Sequence, residues 1–154
     1  MPETCFTVKD KLCSVRKYDL AANEAEQNYE TLRSASVRIT PTYGGVRVNG
    51  SAQRSDFSGS LDRLGEAART VNQMVDRYVD ALDEVSGIIS EMDNPDEMKC
   101  LRLRYLSYRS NPGWRLTSWD EVAEQMCVSR RQATNIHGRA LQHFEQIWKS
   151  RPEA

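Results

Sequence analysis

The longest unbroken pattern in the chain runs from Leu61 to Met92. Leu61, Leu64, Ala68, Val71, Val75, Tyr78, Leu82, Val85, Ile89 and Met92 step alternately by three and four residues. Apolar positions at that average spacing keep one seam turned towards a partner helix, so the stretch predicts a coiled-coil helix sustained over more than four heptads. At about 1.5 Å per residue it would be roughly 50 Å long, and it cannot bury such a stripe by itself. A cover is at hand upstream. Val8, Leu12, Val15, Tyr18, Ala22, Ala25, Tyr29 and Leu32 recur at helical spacing with Lys, Asp, Arg, Glu, Gln and Asn between them, which predicts an amphipathic helix from about 8 to 34. It is expected to fold back antiparallel on the second helix. Its seam is shorter and thinned by alanines, so part of the longer stripe is expected to be left for a second subunit. A homodimer or higher oligomer through the 61–92 helix follows.

Between these helices, residues 35–59 hold Pro41, Gly44, Gly45, Gly50 and Gly59 with several serines, which predicts a loop. Val37-Arg38-Ile39-Thr40 and Val46-Arg47-Val48 flank Tyr43-Gly44-Gly45 in a pattern compatible with a small hairpin, but an isolated hairpin is marginal in water and a mobile loop is favoured. After the long helix, Asn94-Pro95-Asp96-Glu97 supplies a cap, a proline suited to the first helical position and an acid in the first turn. A domain boundary is expected there, dividing residues 1–94 from 95–154. The next helix is expected to bury Met98, Cys100, Leu101 and Tyr105, with Trp114 and Leu116 of the following Asn-Pro-Gly loop packing back as a lid.

The apolar pattern shortens from residue 118. Ser118 with Glu121, and Ser129 with Gln132, are two capping boxes eleven residues apart, leaving Met126-Cys127-Val128 for a three- or four-residue turn. Val122, Ala123 and Met126 lie on one face of the first helix, Val128 plugs the turn, and Ala133, Ile136 and Ala140 line the second. That is the layout of a helix-turn-helix. Ala123 is small where two steeply crossed helices would approach most closely. Cys127 stands where such turns often hold glycine, so a backbone conformation uncomfortable for a side chain is expected there. The second helix turns Arg130, Arg131, Thr134, Asn135 and Gly138 outward. Arginine can fork onto guanine, asparagine can pair with adenine, and threonine can touch a thymine methyl. Gln132 and Arg139 are secondary candidates, as are Gly138 for close approach to a phosphate, Arg104 for a phosphate contact, and Ser118 at a helix start whose N–H groups could hold one.

Ser129 to Phe144, together with Leu101-Arg102-Leu103-Arg104-Tyr105, resembles the promoter-reading fourth region of bacterial sigma factors. In that family a leucine- and arginine-rich helix precedes the helix-turn-helix, and the reading helix begins Thr/Ser-Arg and ends in Ala-Leu. The layout of the whole chain is similar to the small phage-encoded regulators of the RinA and ArpU type, which activate late or packaging genes. The resemblance implies base contacts at Arg130, Arg131, Thr134 and Asn135, a duplex DNA target and contact with host RNA polymerase. Several of these side chains depart from the sigma pattern, so no operator sequence carries over.

Charge sharpens this division. Residues 1–98 carry 11 Lys or Arg against 17 Asp or Glu, whereas residues 99–151 carry 10 against 4. The overall charge of −1 therefore conceals an acidic half and a basic half, and cations gathered at the helix-turn-helix suit a polyanionic partner. Cys5, Cys13, Cys100 and Cys127 are scattered without metal-ligand spacing, so neither a zinc site nor a disulfide scaffold is expected. No apolar run approaches a membrane span and no export signal precedes the first helix, which points to the cytoplasm. His137 and His143 stand away from any carboxylate cluster in the sequence, and no P-loop or nucleophile motif occurs, so no enzyme and no cofactor is expected. His137 reads as a packing or phosphate-contacting residue. The expectation is an all-α protein, a long N-terminal helical hairpin or coiled coil followed by a small three-helix helix-turn-helix domain, acting as a DNA-binding transcriptional regulator. Two other readings stay open: a small terminase-type packaging subunit, and a coiled-coil interaction protein that binds no DNA.

Overall fold

The computed structural model describes residues 7–38 and 52–152. These form five α-helices and no strand: α1 (Val8–Arg38), α2 (Ala52–Ser90), α3 (Pro95–Leu101), α4 (Trp119–Met126) and α5 (Arg130–Ser150). The fold is all-α with a long N-terminal helix, as the periodicities require.

The break between the long helices is shorter than the 35–59 loop expected from glycine and serine content. α1 continues to Arg38, and α2 begins at Ala52 and takes in Gly59. A single glycine inside a helix costs about 1 kcal/mol relative to alanine, too little to stop a helix of 39 residues. The hairpin centred on Tyr43-Gly44-Gly45 lies outside the described residues.

Two compact units divide the chain. Tyr18–Tyr78 form one, and the other joins the segment ending at Lys17 to everything from Val79 onward. The boundary expected at residue 94 thus falls inside the second of these. Leu12 and Val15 of α1, and Val85, Ile88 and Ile89 of α2, are almost fully buried. Polar bonds tie the same segments to the C-terminal elements: Arg16 Nε donates to the Trp114 carbonyl, Arg102 donates to Ser90 Oγ at 3.1 Å, and Arg151 pairs with Glu91 at 2.6 Å. Lys11 bonds Glu84 and lies 5.7 Å from the centre of the Trp148 ring. In the Tyr18–Tyr78 unit, Ala22 and Ala67 are buried while Leu61 remains 49% exposed.

α3 starts as the sequence requires, with Asn94 Oδ1 accepting from the Asp96 amide at 3.0 Å and Pro95 in its first turn. Leu101 and Tyr105 are buried, and the turn Arg102–Leu106 widens into a single π-type turn. Two 3₁₀ turns follow, Tyr108–Ser110 and Pro112–Trp114. Gly113 and Trp114 both have positive φ, 64° and 52°, a conformation that strains tryptophan. Trp114 stays half-buried, with its ring 6.1 Å from that of Tyr108.

Candidate nucleic-acid interface

Both helix starts are built from side chains that the sequence singles out. Ser118 Oγ accepts from the Glu121 amide at 3.3 Å, and Glu121 Oε2 accepts from the Ser118 amide at 3.3 Å. Ser129 Oγ accepts from the Gln132 amide at 3.2 Å, while Gln132 Oε1 accepts from the Ser129 amide at 3.0 Å. The Ser118 hydroxyl and the Gln132 carbonyl are therefore engaged in fixing the helix ends. Asp120 and Glu121 also place two carboxylates in the first turn of α4, which opposes an anion at that end.

The turn between the helices is a Schellman motif. The Val128 amide donates to the Ala123 carbonyl at 3.0 Å and the Cys127 amide to the Glu124 carbonyl at 3.1 Å. The motif needs a left-handed residue at the position after the helix, and Cys127 adopts it with φ 56° and ψ 40°. Val128 and Ala123 supply its apolar contact, and both pack with Cys100, Val122 and Ala133 in one cluster flanked by Leu103, Trp119, Met126 and Ile136. Burial raises the Cys100 thiol to a pKa of about 11, so it serves as a small apolar residue. Exposed Cys127 carries the conformational cost alone. Cys127→Gly should stabilise the protein by about 0.5–1 kcal/mol in urea titrations, because glycine adopts positive φ without strain. A loss of stability on that change would contradict the account of the turn.

α5 divides cleanly into two faces. Ala133, His137, Ala140 and Phe144, spaced four, three and four, are buried. The stripe includes a histidine that the sequence pattern left undecided between packing and phosphate contact. His137 Nε2 and the Tyr105 hydroxyl share a hydrogen bond of 2.9 Å, and the Trp119 ring meets the imidazole edge-on at 4.7 Å between centres. Burial, with smaller contributions from Lys9 and Arg104, lowers its pKa to about 4, and burial raises the Tyr105 hydroxyl to about 12. Both are neutral packing partners near neutral pH. The other histidine, His143, holds its Nδ1 on the carboxylate of buried Glu97. The second of two adjacent acids in the first turn of α3 thus becomes a link to α5.

Opposite that stripe stand the predicted reading residues. Arg131, Thr134, Asn135 and Gly138 are exposed, and at about 100° per residue they form one ridge. Arg131 and Asn135 make no side-chain hydrogen bond or ion pair among the described residues. Thr134 Oγ1 donates to the Arg131 carbonyl at 2.9 Å, which leaves its methyl for apolar contact. Nothing lies within 4 Å of where a Cβ on Gly138 would stand. Exposed Gln142 continues the ridge one turn further; its spacing of seven from Asn135 was the signal for it.

The remaining candidates are placed differently. Arg130 is exposed but about a quarter turn off the ridge, 3.6 Å from Asp120, so α4 competes for its charge. Gln132 and Arg139 flank the ridge on its other side, both exposed. Arg104 is not a surface cation: its guanidinium donates to the Thr117 carbonyl, lies 4.8 Å from the centre of the Trp119 ring, and keeps a buried Nε with no partner. A side chain held this way inside the loop is unavailable to a phosphate. Lys99 donates to the Gln125 carbonyl at 2.9 Å and the Arg109 guanidinium lies 5.2 Å from the centre of the Trp114 ring, so both keep their charge but have a neutral partner within the protein. Arg131 and Arg139 keep their charge for an outside partner.

No family model, curated protein or solved structure matches the chain. The interface is therefore defined by its own geometry: a capped helix pair, a tight turn with a left-handed cysteine, and a polar ridge carrying an arginine, a threonine and an asparagine. Among the described residues no cluster of side chains could hold a metal ion, and no helix is long and apolar enough to cross a membrane.

Proposed function

We propose that the chain is a sequence-specific DNA-binding transcriptional regulator of the kind that phages and prophages encode for late or packaging genes, working in the cytoplasm of a bacterial host. α5 enters the major groove of duplex DNA. Arg131 forks onto a guanine, Asn135 pairs with an adenine, Thr134 offers its methyl to a thymine, and Gly138 lets the backbone approach the strand. Arg130 and Arg139 contribute from either side of the ridge, Arg130 at the cost of its pair with Asp120. The observation that carries this reading is the joint exposure of Arg131, Thr134 and Asn135 on α5, opposite a stripe that is buried throughout. Contact with host RNA polymerase follows from the resemblance to the sigma fourth region and from nothing in the geometry.

Enrichment of duplexes from a random pool tests the proposal. A shared sequence should emerge, and log affinity for it should fall linearly with log salt as phosphates exchange counterions. Arg131→Ala should weaken that complex by about 1–3 kcal/mol and relax one base position. A pool that shows no enrichment, or an Arg131→Ala variant that binds unchanged, would remove the assignment. A packaging subunit would instead bind duplexes without a shared sequence and form rings in light scattering.

A further inference from the structure

α2 carries a second heptad pattern that shares Ala68, Val75 and Leu82 with the one that first marks it. Gly65, Ala68, Asn72, Val75, Val79 and Leu82 step by three and four along one flank of the helix. The chain covers the other flank, where Ala67, Ala81, Val85 and Ile88 are buried. On the open flank Leu61 is 49% and Val79 44% exposed, and Asn72 is exposed. Nothing lies within 4 Å of a Cβ built on Gly65. The flank is graded in size: glycine, alanine and asparagine in its first half, valine, valine and leucine in its second. Its outer edge carries Arg69 and Asp76, both exposed and two turns apart.

We propose that a second copy of this chain covers this flank, with the two α2 helices running antiparallel about a two-fold axis between Gln73 and Met74. That register places Gly65 against Leu82 of the second copy, Ala68 against Val79, and Asn72 against Val75, so small meets large at each layer. It also sets Arg69 beside Asp76 of the second copy, twice over. A parallel pair in register would stack glycine on glycine and alanine on alanine, and would leave Arg69 and Asp76 facing Leu64 and Val71 of the second copy instead of each other. The like-charge approach of Asp62 to Asp83 falls at the ends of the antiparallel overlap, where solvent screens it. The occupant is a second copy because the flank is complementary to itself in both size and charge. Asn72 in an otherwise apolar column would hold the register, as a single polar residue does in paired helices.

Sedimentation equilibrium on the full chain without DNA tests this apart from any reading of bases. The wild type should be a dimer. Arg69→Asp and Asp76→Arg should each weaken it by roughly tenfold, and the double variant should return to within about threefold of wild type. The two residues do not meet within one chain, so restoration reports contact between copies. Val79→Glu, at an exposed site, should abolish the dimer with helix content unchanged by circular dichroism. A wild type that is monomeric at about 100 µM, where even weak specific pairing would register, overturns the proposal. So do single charge reversals without effect, a double variant that stays as weak as the singles, or a Val79→Glu protein that still dimerises.

Discussion

Truncating Phe144 to alanine should cost about 3–5 kcal/mol of stability, the largest loss expected from any single change discussed above. Phe144 is fully buried on the inner face of α5, in line with Ala133, His137 and Ala140. Three of those four positions are small or polar, so the phenyl ring is the one large apolar side chain of that stripe. Removing it leaves a cavity whose walls are helices capped and bonded in place, and such walls collapse poorly. Domains of this size are stable by only about 5–15 kcal/mol, so the variant should unfold at a clearly lower urea concentration. Arg131→Ala should leave the urea midpoint within about 0.5 kcal/mol of wild type, as surface changes do. A Phe144→Ala protein as stable as wild type would mean that α5 is anchored elsewhere.

Acid should destabilise the protein through His137. In the unfolded chain this imidazole takes a proton near its ordinary pKa of 6.5; in the folded protein burial holds it to about 4. Between those values the unfolded state binds more protons, so stability falls as pH falls. The contribution is fully present above pH 6.5 and is lost progressively down to about pH 4, a change of about 2–3 kcal/mol for a shift of this size. Carboxylates add their own pH dependence, so the informative comparison is with His137→Gln, which retains a polar partner for the Tyr105 hydroxyl. Urea midpoints measured every half unit should show a flatter profile for that variant between pH 6.5 and 4. Parallel profiles would show that His137 does not carry the effect.

The elements were legible because each has a local cause. Heptad spacing marked α2, Asn94 and Pro95 marked the start of α3, and two capping boxes marked α4 and α5 within a residue. The demand for a left-handed cysteine could be read from the short spacing between two caps. Facing was harder to read. His137 shares a stripe with Ala133, Ala140 and Phe144, but the pattern cannot choose between packing and a phosphate contact for a polar side chain until its partner is known, and Tyr105 lies 32 residues away. Arg104 fails as a phosphate contact for the same reason: its carbonyl and aromatic partners belong to the following loop and to α4. Charge counting has no access to such pairings, which is why the basic half looked more available than it is. The division of the chain was also hidden. Leu12 and Val15 are placed by the long helical pattern of α1, yet they are buried in the unit that holds the C-terminal helices, a long-range fact that periodicity cannot carry.

The reading of bases by α5 meets its most direct test in a double-substitution cycle across the interface. An enriched duplex would be prepared with each guanine in turn replaced by 7-deazaguanine, which lacks the major-groove acceptor N7, and titrated with wild type and with Arg131→Ala. At one guanine the two changes should be coupled by about 1–3 kcal/mol, so that the variant no longer senses the missing nitrogen. Additive losses at every guanine would contradict a major-groove role for Arg131.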